Sequence, residues 1–91
     1  MPRVAVDVLL KHEILDPQGR AVERALPGLG HEGVSDVRVG RHIELVVDAE
    51  GDDLHERVEA MCEGFLTNPI IETYVWRVIG EDERADRGGE A

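Results

Sequence analysis

The chain contains a single cysteine, Cys62, whose thiol is the strongest nucleophile that its residue types offer. A reactive cysteine needs a neighbouring base and an accessible, electropositive setting. Glu59 and Glu63 flank Cys62 instead, and nearby carboxylates raise the pKa of a thiol rather than lower it. We therefore interpret Cys62 as a packed, unreactive residue of a helix.

The other polar side chains form no pattern typical of catalysis or metal binding, and no two of the four histidines have metal-ligand spacing. His42 and Glu44 could share one face of a strand. His55 and Glu59 could share one face of a helix, but such pairs are common among solvated neighbours. Ser35, the only serine, has no base placed to activate it. The sequence therefore predicts no catalytic residue and no metal site in this chain.

Residues 28–33 read GLGHEG and match the glycine pattern G-x-G-x-x-G. In dinucleotide-binding proteins this pattern follows a strand and opens a helix, so that the helix N-terminus meets the pyrophosphate. Here a helix is predicted before the glycines and a strand after them. We interpret residues 28–33 as the end of a helix and a connecting loop.

The first third of the sequence predicts a strand and then a helix. Apolar residues alternate over residues 4–10, which is typical of a strand. Asp16 can cap a helix that begins with Pro17 and ends near Pro27 and Gly28. The apolar positions at helical spacing in this helix are Ala21, Val22, Ala25, Leu26 and Leu29.

The rest of the sequence predicts three further strands and a second helix. Residues 34–39 predict a strand, Gly40-Arg41 a type II′ hairpin turn, and residues 43–47 the next strand. Asn68 and Pro69 end the second helix, and residues 70–79 form the last strand. The apolar stripe of the second helix is predicted to be Leu54, Val58, Met61 and Phe65.

The predicted order is therefore β-α-β-β-α-β. Right-handed crossovers bring the first and last strands together and place both helices on one face of an antiparallel sheet. The predicted fold class is α+β, a two-layer sandwich that is ferredoxin-like or related. We predict one domain over residues 1–79 and an acidic, disordered tail over residues 80–91, which lacks apolar content.

Charge and composition narrow the range of functions. The formal net charge of −10 argues against binding to nucleic acid and against adhesion to an anionic membrane. No apolar run approaches the roughly 20 residues of a transmembrane helix. One cysteine and a strand-like N-terminal segment predict a cytoplasmic protein. Because the last strand is apolar on both sides, we predict that another chain covers part of the second sheet face.

Three stretches of the sequence together resemble a known family: EILDPQGRAVERAL, LGHEGVSDVRVGRHIEL and FLTNPIIETY. The most specific pieces are residues 15–19, residues 37–40, and Asn68-Pro69 followed by Glu72 and Tyr74. Over about residues 3–78 the chain resembles the PurS subunit family of phosphoribosylformylglycinamidine synthase. Arg41 stands where that family usually has lysine, which keeps the charge.

This resemblance implies a role in the fourth step of de novo purine synthesis. In the family's complex, a glutaminase subunit releases ammonia, and a synthetase subunit uses ATP and magnesium to activate formylglycinamide ribonucleotide. The small subunit, a homodimer or a dimer of dimers, bridges the other two and supports ammonia transfer, with no catalytic residue or cofactor of its own. The matching residues that we expect to bind partners are Asp16, Pro17, Gln18, Gly19, Arg41, Asn68, Pro69 and Glu72.

Gly19 lies in the first turn of the first helix, where most other residues are more favourable. Either its missing side chain lets this turn pack closely on the sheet, or it leaves room for the backbone of a partner beside Gln18. The resemblance favours the second explanation. It predicts that Gly19→Ala gives a more stable dimer that assembles less well.

Two other classes of function compete with this interpretation. A ferredoxin-like regulatory module that binds a small molecule such as an amino acid at a dimer interface would have the same strand order. Such modules usually place a Gly-rich turn straight after the first strand, whereas the stretch KHEILDPQG supplies its glycine late. An independent enzyme would need a nucleophile or a metal site, which the sequence does not offer.

Overall fold

The computed structural model describes residues 1–81, which form a three-stranded antiparallel sheet and two helices. The strands are β1 (Pro2–Leu10), β2 (Arg41–Val46) and β3 (Glu72–Glu81), and the helices are α1 (Pro17–Ala25) and α2 (Gly51–Met61). A 3₁₀ turn, Pro27–Leu29, follows α1, and a π turn, Cys62–Leu66, continues α2. Most of the predicted tail lies outside the described residues, so its disorder stays a prediction.

The sheet has the order β2-β1-β3, with β1 paired to a neighbour on each side. Val4 lies opposite Leu45 and Val78, and Val6 lies opposite Ile43 and Trp76. This register places these six side chains, from all three strands, on the same face. The predicted adjacency of the first and last strands is confirmed, as are the α+β class and the antiparallel, ferredoxin-like arrangement.

Helix α2 covers this apolar face and closes the core. Val58 and Cys62 are fully buried, and Leu54 is nearly so, against the valines of β1. Burying one such side chain stabilises the fold by roughly 1.5–3 kcal/mol. The interpretation of Cys62 as a packed residue is confirmed, and burial, with Glu59 and Glu63, raises the pKa of its thiol.

The predicted strand over residues 34–39 is wrong, and so is the hairpin turn that was to follow it. Asp36 has a φ of 56°, a left-handed conformation that interrupts extended pairing. The amides of this segment donate to side chains instead: Val37 N to Glu23 Oε1 at 3.3 Å, and Val39 N to Asp16 Oδ2 at 2.8 Å. The sheet therefore has three strands, and residues 34–39 form a loop bound to α1.

Helix α1 does not bury its predicted apolar face. Gly19 is its only buried residue, whereas Val22 is 41% exposed and Leu29, in the following turn, is 72% exposed. The same loop supplies hydrogen bonds to Asp16 and Glu23, so polar contacts hold α1 in place of apolar packing. The interpretation of residues 28–33 as a helix end is confirmed, because Gly30 closes the 3₁₀ turn with a φ of 93°.

The predicted stripe of α2 is correct only as far as its last turn. Thr67 N donates to Cys62 O at 2.9 Å, a bond between residues five apart that defines the π turn. Phe65 points away from the core, and its side chain is 88% exposed. Leu66, the neighbour of Phe65, takes the inward position instead and packs against the core cluster.

Candidate functional site

Asp16 joins the start of α1 to the loop over residues 34–39. Its Oδ1 accepts from Gly19 N at 3.0 Å, and its Oδ2 accepts from Val39 N at 2.8 Å. The hydrogen bonds from these two amides hold the pKa of the Asp16 carboxyl below its usual value, and the bond from Gly19 N has the larger effect. The prediction that Asp16 caps a helix beginning with Pro17 is confirmed, and the same carboxylate also fixes a second segment.

Gly19 is required by a close approach of the chain to itself. A Cβ added at Gly19 would lie 2.1 Å from the carbonyl oxygen of Val37 and 2.8 Å from Asp16 Oδ2. Gly40 has a similar reason, since a Cβ there would lie 2.0 Å from the carbonyl oxygen of Val8. Close packing therefore explains Gly19 without a partner, although its neighbour is a loop and not the sheet.

Arg41 and Glu72 tie the start of β2 to the start of β3. The Arg41 guanidinium donates to both carboxylate oxygens of Glu72, at 2.7 and 3.3 Å, and to the carbonyl oxygen of Leu66 at 2.6 Å. Glu72 also accepts from Asn68 N at 2.7 Å. The hydrogen bonds from Arg41 and, with a smaller effect, from the Asn68 amide lower the pKa of Glu72. The same pairing with Glu72 raises the pKa of Arg41.

A cleft of about 270 Å³ lies between these two clusters. The residues lining it are Val8, Leu10, Asp16, Pro17, Gln18, Val39, Gly40, Arg41 and Glu72. The structure thus brings together five of the eight residues that the sequence singled out. Of the other three, Gly19 is buried beside Asp16, Asn68 is bonded to Glu72, and Pro69 lies in the exposed turn before β3.

The charged groups of this cleft are already engaged within the chain. Both oxygens of Asp16 accept backbone amides, and the Arg41 guanidinium is divided between Glu72 and Leu66. Small-molecule sites combine a cavity of about 300–1,000 Å³ with polar groups free to orient the ligand. The cleft therefore suits contact with a protein surface better than capture of an amino acid.

A larger cleft of about 640 Å³ is lined by residues of α1 and of the loop over residues 34–39. Its charged lining residues are His12, Glu13, Asp16, Arg20, Glu23, Asp36 and Arg38. Arg38 Nη1 contacts His12 Nδ1 at 3.0 Å, and Nη2 donates to the Leu10 carbonyl oxygen. This lining mixes both signs of charge, so it selects no class of ligand.

The sheet face opposite α2 carries a charged network around His42. His42 contacts Asp7 Oδ1 at 2.5 Å and Glu44 Oε2 at 2.8 Å, and Arg77 donates to Asp7 Oδ2 at 2.5 Å. The hydrogen bond with Asp7 and, with a smaller effect, that with Glu44 raise the pKa of His42. The sequence predicted that His42 and Glu44 could share a strand face, but not the contact of His42 with Asp7, because the partner across the strands depends on the register of β1 with β2.

A second network that the sequence missed joins β3 to α2. Trp76 Nε1 donates to Glu59 Oε2 at 2.7 Å, and the Tyr74 hydroxyl donates to Glu59 Oε1 at 2.9 Å and to Glu63 Oε2 at 3.2 Å. The hydrogen bonds from Trp76 and, with a smaller effect, from Tyr74 lower the pKa of Glu59. Burial raises the pKa of Tyr74. The alternation of the two aromatic residues along β3 is the signal that could have found it.

Two general features of residues 1–81 bear on function. No three or more histidine, cysteine or acidic side chains in that range are grouped so that they could hold a metal ion. Neither helix in that range is long and apolar enough to pass through a bilayer.

Comparison with known proteins gives a consistent result. Residues 3–80 match the family model PurS, described as phosphoribosylformylglycinamidine (FGAM) synthase. The chain is 44% identical over 78 residues to the phosphoribosylformylglycinamidine synthase subunit PurS of Bacillus subtilis, which covers 86% of this chain and 93% of that protein.

Solved structures agree with the sequence match. A structure of PurS from B. subtilis superposes with a TM-score of 0.78 at 42% identity, covering 88% of this chain and 100% of that one. A chain of the structure described as PurLQS from Thermotoga maritima superposes with a TM-score of 0.76 at 35% identity, covering 87% and 100%. The chain therefore belongs to the PurS family of phosphoribosylformylglycinamidine (FGAM) synthase.

Proposed function

We propose that this chain is the small, non-catalytic subunit of a cytoplasmic phosphoribosylformylglycinamidine synthase, where it bridges a glutaminase subunit and a synthetase subunit. The observation that carries the proposal is the family match over residues 3–80. The likeness to a chain of the structure described as PurLQS supports a role within an assembly. The chemistry of Cys62 fits this role, because the thiol is buried and its pKa is raised, which disfavours the nucleophilic thiolate.

Bridging has a physical benefit for a reaction that passes ammonia between two active sites. Free ammonia is mostly protonated near neutral pH and is then a poor nucleophile in water. Holding the two sites in one assembly that excludes water keeps it available. In this proposal the synthetase subunit binds ATP and magnesium, and the small subunit supports the passage of ammonia.

The residues proposed to contact partners are Asp16, Pro17, Gln18, Gly19, Arg41, Asn68, Pro69 and Glu72. Pro17, Gln18 and Pro69 are exposed and can touch another protein directly. Asp16 and Gly19 are buried, so their contribution is to shape the cleft.

The chain is also proposed to associate with itself, as a homodimer or a dimer of dimers. The open face of the sheet supports this, because Leu9 is 39% exposed and Val75 is 66% exposed on the side that α2 does not cover. A second copy would remove these side chains from water. Sedimentation equilibrium at micromolar concentration measures this, and a monomer would contradict it.

Reconstitution tests the bridging role. The purified chain is mixed with the cognate glutaminase and synthetase subunits, and product formation is measured with glutamine and, separately, with an ammonium salt. Glutamine-dependent formation is expected to need all three proteins, whereas ammonium-dependent formation needs only the synthetase. Full glutamine-dependent activity without this chain would refute the proposal. Calorimetry of the chain with amino acids tests the regulatory alternative, which tight binding would favour.

A further inference from the structure

Phe65 and Ile70 are the two most exposed large apolar side chains among residues 1–81. Phe65 is 88% exposed and Ile70 is 80% exposed. They lie on either side of Thr67, in the segment that runs from the π turn into β3. We call residues 65–70 the apolar platform. Aromatic side chains exposed in this way are enriched in the cores of protein interfaces.

The backbone of the apolar platform is held firmly by the rest of the fold. Thr67 is 8% exposed, and both its amide and its hydroxyl donate to the carbonyl oxygen of the fully buried Cys62 at 2.9 Å. The Asn68 side chain accepts from Ile70 N at 3.2 Å, and Arg41 donates to the Leu66 carbonyl oxygen at 2.6 Å. A rigid platform loses little conformational entropy when its side chains are bound.

Phe65 points outward from the π turn that continues α2. Leu54, Val58 and Cys62 follow α-helical spacing into the core, and continued spacing would direct Phe65 or its neighbour Leu66 inward. Leu66, four residues after Cys62, takes the inward position and packs against the core cluster, and Phe65 is exposed. π turns occur often at functional sites. This π turn carries an exposed aromatic residue, Phe65, that is not part of the core cluster.

The charges around the apolar platform indicate the kind of surface that binds it. Glu63 lies two residues before Phe65 and is exposed, and Glu59 lies one helical turn earlier. The nearby cation, Arg41, is paired with Glu72. A second copy of this chain, with its formal charge of −10, would bring like charges together at this rim. A partner with basic residues around an apolar pocket would complement it.

We infer that Phe65 and Ile70 are the anchors by which this chain docks into an apolar, basic-rimmed pocket on a different protein subunit. This inference rests on the proposed bridging function. It names the surface by which the chain binds one of the two subunits that it bridges. It assigns a role to two residues that lie outside the cleft between Asp16 and Glu72.

The test compares Phe65→Ser and Ile70→Ser with Leu29→Ser, which alters an apolar side chain that is 72% exposed elsewhere. Dissociation constants are measured for each variant with the cognate glutaminase and with the cognate synthetase. Each platform variant is expected to weaken binding to one of these subunits by about tenfold or more, the effect typical of a buried anchor. Leu29→Ser is expected to bind as the wild type does.

Sedimentation equilibrium and thermal unfolding are run on the same variants, and because the altered side chains are exposed, folding is expected to be unaffected. Platform variants that bind both subunits as tightly as the wild type would overturn the inference while leaving the bridging function intact. Variants that instead lose self-association would also overturn it, because the occupant would then be a second copy. A wild-type chain that binds neither subunit would overturn the bridging function itself.

Glu63→Lys tests the basic rim separately. Reversal of this charge is expected to slow association with the docking subunit and to reduce the dependence of the association rate on salt. If the association rate and its salt dependence are unchanged, basic residues do not surround the pocket of the docking subunit, and that part of the inference is wrong.

Discussion

Replacing Gly19 by alanine tests whether this residue serves the chain's own packing or a partner. The added Cβ would lie 2.1 Å from the carbonyl oxygen of Val37 and 2.9 Å from its carbonyl carbon. Ordinary contacts of this kind are 3.4–4 Å, so these backbone atoms must separate by more than an ångström. Backbone atoms of a fixed loop cannot give way as the end of a flexible side chain can.

Two opposing contributions set the size of the effect. Overpacking of a tightly fitted site costs about 1–3 kcal/mol. Alanine in place of glycine in a helix returns at most about 1 kcal/mol, and less in a first turn. The separation also strains the bond from Val37 N to Glu23, which is already 3.3 Å long. We therefore expect Gly19→Ala to lower the free energy of unfolding by about 1–2 kcal/mol.

Urea denaturation at a fixed protein concentration measures this change, with thermal unfolding as a second measurement. A loss of this size corresponds to a fall in Tm of about 5–15 °C for a domain of this length. Gly28→Ala is the matched control, because no atom lies within 4 Å of the added Cβ and its φ is not positive. We expect the control to be neutral or slightly stabilising.

The opposite result would refute this reasoning. If Gly19→Ala unfolds at the same or a higher urea concentration than the wild type, the loop is free to move and close packing does not explain the glycine. A partner backbone would then again be the better explanation, and a higher midpoint would match the gain in dimer stability that the resemblance favours.

Three further outcomes follow from the same contacts. Because the pKa of His42 is raised in the fold, its stabilising effect is full below about pH 6.5 and is lost as pH rises through the raised value, so His42→Gln should lower Tm most below about pH 6.5 and progressively less above it. Val58→Ala leaves a cavity in the core and should cost about 2–3 kcal/mol in urea denaturation. Arg41→Lys keeps the charge but loses the paired bonds to Glu72, so it should cost under about 1 kcal/mol; a larger loss would mean that the exposed pair is more than a surface salt bridge.

The sheet topology was predictable because it depends on apolar alternation and on the handedness of crossovers. The alternation of Val4, Val6 and Val8 placed β1 correctly, and right-handed crossovers placed β3 beside it. The loop conformation of residues 34–39 was not predictable in this way. The valines there suit a strand, but Asp36 adopts a left-handed conformation that propensity alone does not specify.

The last turn of α2 shows a second limit of periodicity. Val58 is followed by Met61 and Phe65 at helical spacing, but Cys62 also lies four residues after Val58. Both patterns fit helical spacing, so the sequence alone does not decide between them. The fold shows that Cys62 is fully buried and that Leu66 packs against the core, whereas Phe65, which the first pattern assigned to the core, is exposed.

Two of the three motif pieces that carry the family resemblance, residues 15–19 and 37–40, have a common physical cause in this chain. Asp16 must supply two carboxylate oxygens, one to the amide of Gly19 and one to that of Val39. The loop can reach that carboxylate only if Gly19 lacks a Cβ beside Val37 and Gly40 lacks one beside Val8. A change at any of these positions affects the others, because each close approach sets the distance available to the next. Segments 15–19 and 37–40 therefore specify one contact between a helix cap and a loop, which explains why neither segment is informative without the other.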